Sequence, residues 1–139
     1  MDEEDVKTVI SSPISTIISD SWVIAPSGGG KPHPRGYGSF PRVLGKYVRK
    51  EKTLTLEEAI KKMTSLPANK IGLKDRGILK EGYWADIVIF NKEEIKDRAT
   101  FENPHQYPDG IYYVIVNGQL AVDNGEITGR KSGKILSKV

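Results

Sequence analysis

Two Asn-Gly dipeptides, Asn117–Gly118 and Asn124–Gly125, stand either side of the short run "QLAVD". Asn-Gly is the pair that two-residue hairpin turns demand, because both central residues must take positive φ. Two such turns so close together leave little choice but consecutive antiparallel strands. The flanking stretches "RGILKEGYWADIVIFN" and "GIYYVIVNGQLAVDNGEITG" are rich in β-branched and aromatic residues, as a half-buried pleated surface requires. Tyr83–Trp84 and Tyr112–Tyr113 alternate with aliphatics and are expected in the sheet interior. "ATFENPHQYPDG" reads as the irregular loop that returns the chain to the sheet.

The first half has another character. "DEEDVKTVIS" puts Val6, Val9 and Ile10 on one helical face, with acids in the first turn where the helix dipole favours them. Pro13 ends it. "ISTIIS" reads as a short buried strand delivering Asp20 at its carboxy-terminal end, and residues 21–38 read as loop. A helix is expected from Pro41, packing through Val43, Leu44, Tyr47 and Val48. "TLTLEEAIKKMTSL" is the clearest helix. Thr55 and Glu58 form a capping box, and Leu56, Ala59, Ile60 and Met63 recur at helical spacing. "LPANKIG" adds a turn, opened by Pro67 and closed by Gly72. One strand among helices cannot satisfy its own backbone groups. Residues 1–72 therefore read as the closing βα unit of a larger α/β body, and residues 73–139 as a small β domain.

Length and composition narrow the function classes. A chain of 139 residues, 37% apolar and 28% charged, has the balance of a soluble globular domain and excludes wholesale disorder. The longest apolar runs, such as "ADIVIF", are strand-sized, so no membrane association is expected. The acidic opening "MDEEDVKTVI" is unlike a signal peptide, and a cytoplasmic protein is expected. Zero cysteines exclude disulfides, thiolate metal ligands and a cysteine nucleophile. The net charge of +3 is spread along the chain, and no nucleic-acid partner is expected. His33 and His105 are far apart and lack HxH or HExxH spacing, so no tight metal site is expected from this chain alone.

The chemistry-bearing residues cluster around "KPHPRGYGSFPRVLG", residues 31–45. Asp20, at a strand end, is either a catalytic carboxylate or a cap for the following loop. Arg35, held between Pro34 and Gly36, is pre-oriented to clamp a carboxylate with two parallel hydrogen bonds, or is an exposed arginine on a rigid turn. His33 is a ligand or a structural histidine. "SGGG" at 27–30 lacks the following Lys-Ser/Thr of a phosphate loop and reads as flexible loop. Tyr37 and Arg42 are candidate pocket residues, Phe40 a loop anchor. A small-anion module using Arg35, Arg42 and Lys31 is a further possibility. "ENPHQYP" is read as a turn-rich connection rather than a second site.

Taken together, "SDS…APSGGGKPHPRGYGSFPRVLGKYVR", "LTLEEAIKKMTSLPANKIGLKDRGILKEGYWADIVIFN" and "ATFENPHQYPDGIYYVIVNGQLAVDNGEITG" resemble the carboxy-terminal part of N-acyl-D-amino-acid deacylases of the amidohydrolase superfamily. The resemblance implies a zinc-dependent (β/α)8 barrel, of which this chain is the closing βα unit, followed by a piece of a small antiparallel β-sandwich. It implies that Asp20 is the general base to the attacking water at the metal, and a possible metal ligand. The same carboxylate would then pass the proton to the leaving amine. It implies that Arg35 grips the α-carboxylate of the N-acyl amino acid, with His33 supporting the loop. Two departures stand out. Ser21 follows Asp20 where the family has glycine, and the HxH, the bridging ligand and the later metal histidines are absent. The expected function is a carboxy-terminal segment or subunit of the deacylase. Its partner would be an amino-terminal barrel chain, or a second copy through self-association. The alternative is a catalytically inactive remnant acting as an assembly domain.

Overall fold

The computed structural model describes residues 2–25 and 28–136, so Ser27 of the glycine run lies outside the described residues. Helix α1 (Glu3–Ser11) starts at Asp2, whose side chain accepts from the Asp5 amide while Asp5 answers the Asp2 amide. Helix α2 (Arg35–Arg42) runs directly into a wider π-type coil, Val43–Lys50, closed where the Glu51 amide donates to the Lys46 carbonyl. The helix thus begins six residues before Pro41, and the preceding loop is correspondingly shorter than expected. Pro41 sits inside the helix, Phe40 lies on α2 with 40% exposure rather than anchoring a loop, and the expected packing face holds. Helices α3 (Leu56–Met63) and α4 (Ser65–Ile71) follow, the first with the Thr55–Glu58 capping box, the second ended by Gly72 in the left-handed region.

The second half is a meander. Strands β1 (Ile87–Phe90), β2 (Ile111–Val116), β3 (Gln119–Asp123) and β4 (Glu126–Ile127) pair antiparallel in sequence order. Both Asn-Gly pairs make the turns: φ is 49° at Asn117 and 80° at Gly118, 48° at Asn124 and 85° at Gly125. This is one sheet; the described residues contribute no second sheet to face it.

The hydrophobic core is built by Val43, Leu44, Tyr47, Leu54 and Ala59 from the helical half and by Ile95 from the β1–β2 connection. Ile95 is 2% exposed and fills the gap beside Gly45, where a Cβ would lie 2.6 Å from the Ile95 carbonyl oxygen. Arg49 Nη1 donates to the carbonyls of Lys92 and Ile95 at 2.8 and 2.7 Å, so the connection is held by hydrogen bonds as well as by packing. Val6, Ile10, Ile17, Phe90 and Ile111 border this core.

Three expectations need correction. "ISTIIS" forms no strand, and Ile14 and Ile18 are 77% and 69% exposed rather than buried. A strand needs a neighbour, and the four strands among the described residues pair only with one another. Trp84 and Tyr112 lie outside the sheet interior: Trp84 sits between the Arg76 guanidinium and the Lys134 ammonium, at 5.0 and 4.4 Å. The Tyr112 hydroxyl donates to Glu94 at 2.6 Å, which keeps its ring at the surface. No helix among the described residues is long and apolar enough to cross a membrane.

Candidate functional site

Asp20 closes the extended segment that follows α1, with φ at 49°, a left-handed conformation that aspartate tolerates better than most residues. Its carboxylate meets Arg35 at the first position of α2, Nη2 to Oδ2 at 3.0 Å, with both side chains substantially exposed. His33 stands beside them. Its Nδ1 accepts the Arg35 backbone amide at 3.1 Å, which leaves the proton of the neutral ring on Nε2. The ring packs edge-on against Phe101, 4.9 Å between centroids. The Pro34–Gly36 frame thus orients Arg35 by backbone, histidine and helix start together. All three residues singled out in the sequence lie together.

The Asp20–Arg35 pair forms the wall between two open clefts. One, of about 580 Å³, is apolar along Ile18, Trp22, Phe40 and Met63. The other, of about 490 Å³, runs past Lys31, His33 and His105. A third cleft of about 390 Å³ lies behind His33 and contains Arg42. Arg42 is already engaged: Nε and Nη2 both donate to Asp97 Oδ2, at 2.9 and 2.7 Å. Of the three cations considered for a small-anion module, two are therefore paired with carboxylates.

The sequence reading missed one constellation. Tyr37 donates its hydroxyl to His105 Nδ1 at 3.0 Å, and His105 Nε2 donates to the Gly30 carbonyl at 3.1 Å. The Tyr37 ring also meets Tyr107 edge-on at 5.6 Å. Burial pushes the Tyr37 hydroxyl above its ordinary pKa, with Tyr107 adding to the effect. So "ENPHQYP" is more than a connection: it pins the glycine run to α2. Tyr37 and His105 are 68 positions apart, and no local spacing announces such a pair.

Zinc can be tested against this donor set. Among the described residues no three His, Cys, Asp or Glu side chains gather to hold a metal. Asp20 already faces a guanidinium, and His33 spends Nδ1 on a backbone amide. A zinc site takes three or four neutral or anionic ligands. The described residues do not by themselves fit one.

The amidohydrolase family profile matches residues 4–122. The chain belongs to the amidohydrolase family. Over 138 residues, 99% of its length, this amidohydrolase chain is 44% identical to an N-acyl-D-aspartate deacylase of Alcaligenes xylosoxydans xylosoxydans. It is 41% identical to a D-aminoacylase of the same organism over the same span. A crystal structure of D-aminoacylase superposes with a TM-score of 0.90 at 40% identity, covering 99% of this chain and 28% of that one. The N-acyl-D-glutamate deacylase from Bordetella bronchiseptica, complexed with zinc and a phosphonate mimic of the tetrahedral intermediate, superposes at 0.79 with 40% identity over 91% of this chain and 27% of that one. The amidohydrolase chain spans little more than a quarter of the length of these relatives.

Proposed function

We propose that this chain supplies the carboxy-terminal segment of a deacylase that hydrolyses the amide bond of N-acyl-D-amino acids to a carboxylate and a D-amino acid. The observation that carries the reading is the Asp20–Arg35 pair at 3.0 Å, in a chain that matches D-aminoacylase along almost its whole length. In this reading residues 1–72 close the catalytic barrel and residues 73–139 form the small β domain. Arg35 grips the substrate α-carboxylate with two parallel hydrogen bonds. That carboxylate takes the place of Asp20 on the guanidinium, so substrate binding frees Asp20. Asp20 then accepts a proton from the attacking water and returns it to the leaving amine. His33 keeps Arg35 in place. Zinc belongs to the complete enzyme, held mainly by residues outside this chain, as the Bordetella deacylase is complexed with zinc. The cysteine-free sequence fits a cytoplasmic location.

The test is to combine the chain with an amidohydrolase barrel segment that carries the HxH ligands. Amine release from N-acetyl-D-amino acids should require both pieces. An inert assembly, with or without added zinc, would reject the reading. The mutual neutralisation of Asp20 and Arg35 also favours a second reading, in which the chain is a non-catalytic assembly domain. Purification from the native source with an intact barrel chain, but with no deacylase activity, would favour that alternative.

A further inference from the structure

We propose that Lys62 is a positioning residue for Asp20, holding from helix α3 the strandless segment that carries the aspartate; the catalytic meaning of this rests on the reading above. Helix α1 has no basic residue in its last turn, so its terminal carbonyls lack the usual cationic complement. Lys62 supplies it from another helix. It is 6% exposed, yet it faces no carboxylate within salt-bridge distance among the described residues. Its ammonium instead donates to three oxygens: the Ser12 carbonyl, the Ser15 carbonyl at 3.3 Å and Ser15 Oγ at 3.0 Å. Three donors meet three acceptors, the full capacity of an ammonium group.

The contact is reciprocal. The Ile17 amide donates to the Lys62 carbonyl at 3.1 Å, and Lys70 Nζ donates to the Ile14 carbonyl at 3.0 Å. Ser15 Oγ, while accepting from Lys62, also donates to the Ser12 carbonyl at 2.9 Å. Residues 12–17 have no sheet partner among the described residues, so within this chain these bonds are what fixes them, and in a closed barrel they would add to the ladder. Asp20 lies three positions beyond Ile17, and the pair with Arg35 depends on where that segment is held. A buried cation among neutral acceptors is costly unless every donor is used. Here every donor is used on the segment leading to Asp20.

The experiment compares wild type with Lys62→Met, which keeps the length of the side chain and removes its donors. In the isolated chain the hydrogen-bonded amides of Ser15 and Ile17 should exchange about tenfold faster, while those of β2 stay as they were. The Arg35 guanidinium resonance should move to the free-arginine position. In the reconstituted enzyme, kcat should fall by about tenfold without a rise in KM. Unchanged exchange, or an undisturbed Arg35 signal, overturns the proposal, as does local loosening with kcat intact. If Lys62→Met also loses β2 protection, Ser15→Ala, which removes one of the three acceptors, decides by the same readouts. An inert wild-type assembly rejects the deacylase reading alone; exchange and the Arg35 signal still decide the positioning.

Discussion

The Tyr47 hydroxyl donates to a Glu3 carboxylate oxygen at 2.7 Å, joining the start of α1 to the π coil. Lys46 reaches the same oxygen at 2.6 Å. The bonds from Lys46 and Tyr47 hold the Glu3 carboxyl below its ordinary range, while burial first, then the bond to Glu3, pushes the Tyr47 hydroxyl up to about 12. Glu3, with its lowered folded pKa, stabilises the fold above the ordinary carboxylate range and ceases to do so as pH falls through the lowered value. Tyr47 has a raised folded pKa, so its contribution is complete below 10.0 and is lost as pH rises from there to about 12. Thermal melts across this alkaline window should show the loss in wild type, and Tyr47→Phe should reduce it while the smaller contributions of Tyr37 and Tyr112 remain.

Catalysis offers a sharper division. In the complete assembly Asp20→Asn should lower kcat by about 10²–10⁴-fold and leave KM largely unchanged, because a proton carrier acts on the chemical step. Arg35→Lys keeps the charge but loses the two-pronged geometry, so it should chiefly raise KM. Steady-state kinetics on both variants separate the roles; a raised KM with kcat intact in Asp20→Asn would exchange them.

Two glycines should fail for different reasons. A side chain at Gly118 meets nothing within 4 Å, so Gly118→Ala should cost only the left-handed backbone strain, about 1–2 kcal/mol. Gly45→Ala instead drives a Cβ against the Ile95 carbonyl and should cost about 1–3 kcal/mol through overpacking. Urea denaturation of the two variants checks the ordering.

Exposed apolar side chains should govern association. Trp22 is 92% exposed and Val23 fully so, on the same unpaired segment as Ile14 and Ile18. The isolated chain is expected to self-associate through this stretch or to bind a complementary chain there. Light scattering should show Trp22→Ser shifting it toward monomer; an unchanged mass distribution would clear the segment of that role.

The local chemistry of the chain was legible where a single element decides its own shape. The Asn-Gly turns, the Thr55–Glu58 box and the Val43–Leu44–Tyr47 face each follow from spacing alone. Asp20, His33 and Arg35 meet because the loop after Asp20 leads back to His33 and to Arg35 at the start of α2. What failed was whatever depends on an absent or distant partner. "ISTIIS" has strand composition but no strand beside it, and the Tyr37–His105 bond joins segments that no periodicity connects. Trp84 has the composition of core, yet the Arg76 and Lys134 cations beside it hold it at the surface.

The sequential order of the meander reverses the schedule of synthesis. Two-residue turns join β2 to β3 and β3 to β4, so these three strands can pair by local hairpins on a timescale of about microseconds. The helical half leaves the ribosome earlier, yet its core waits for Ile95. Ile95 sits in a connection tied back where the Asn91 amide donates to the Gly110 carbonyl at 2.8 Å, at the threshold of β2. The part translated first thus completes its core only when the later connection delivers Ile95.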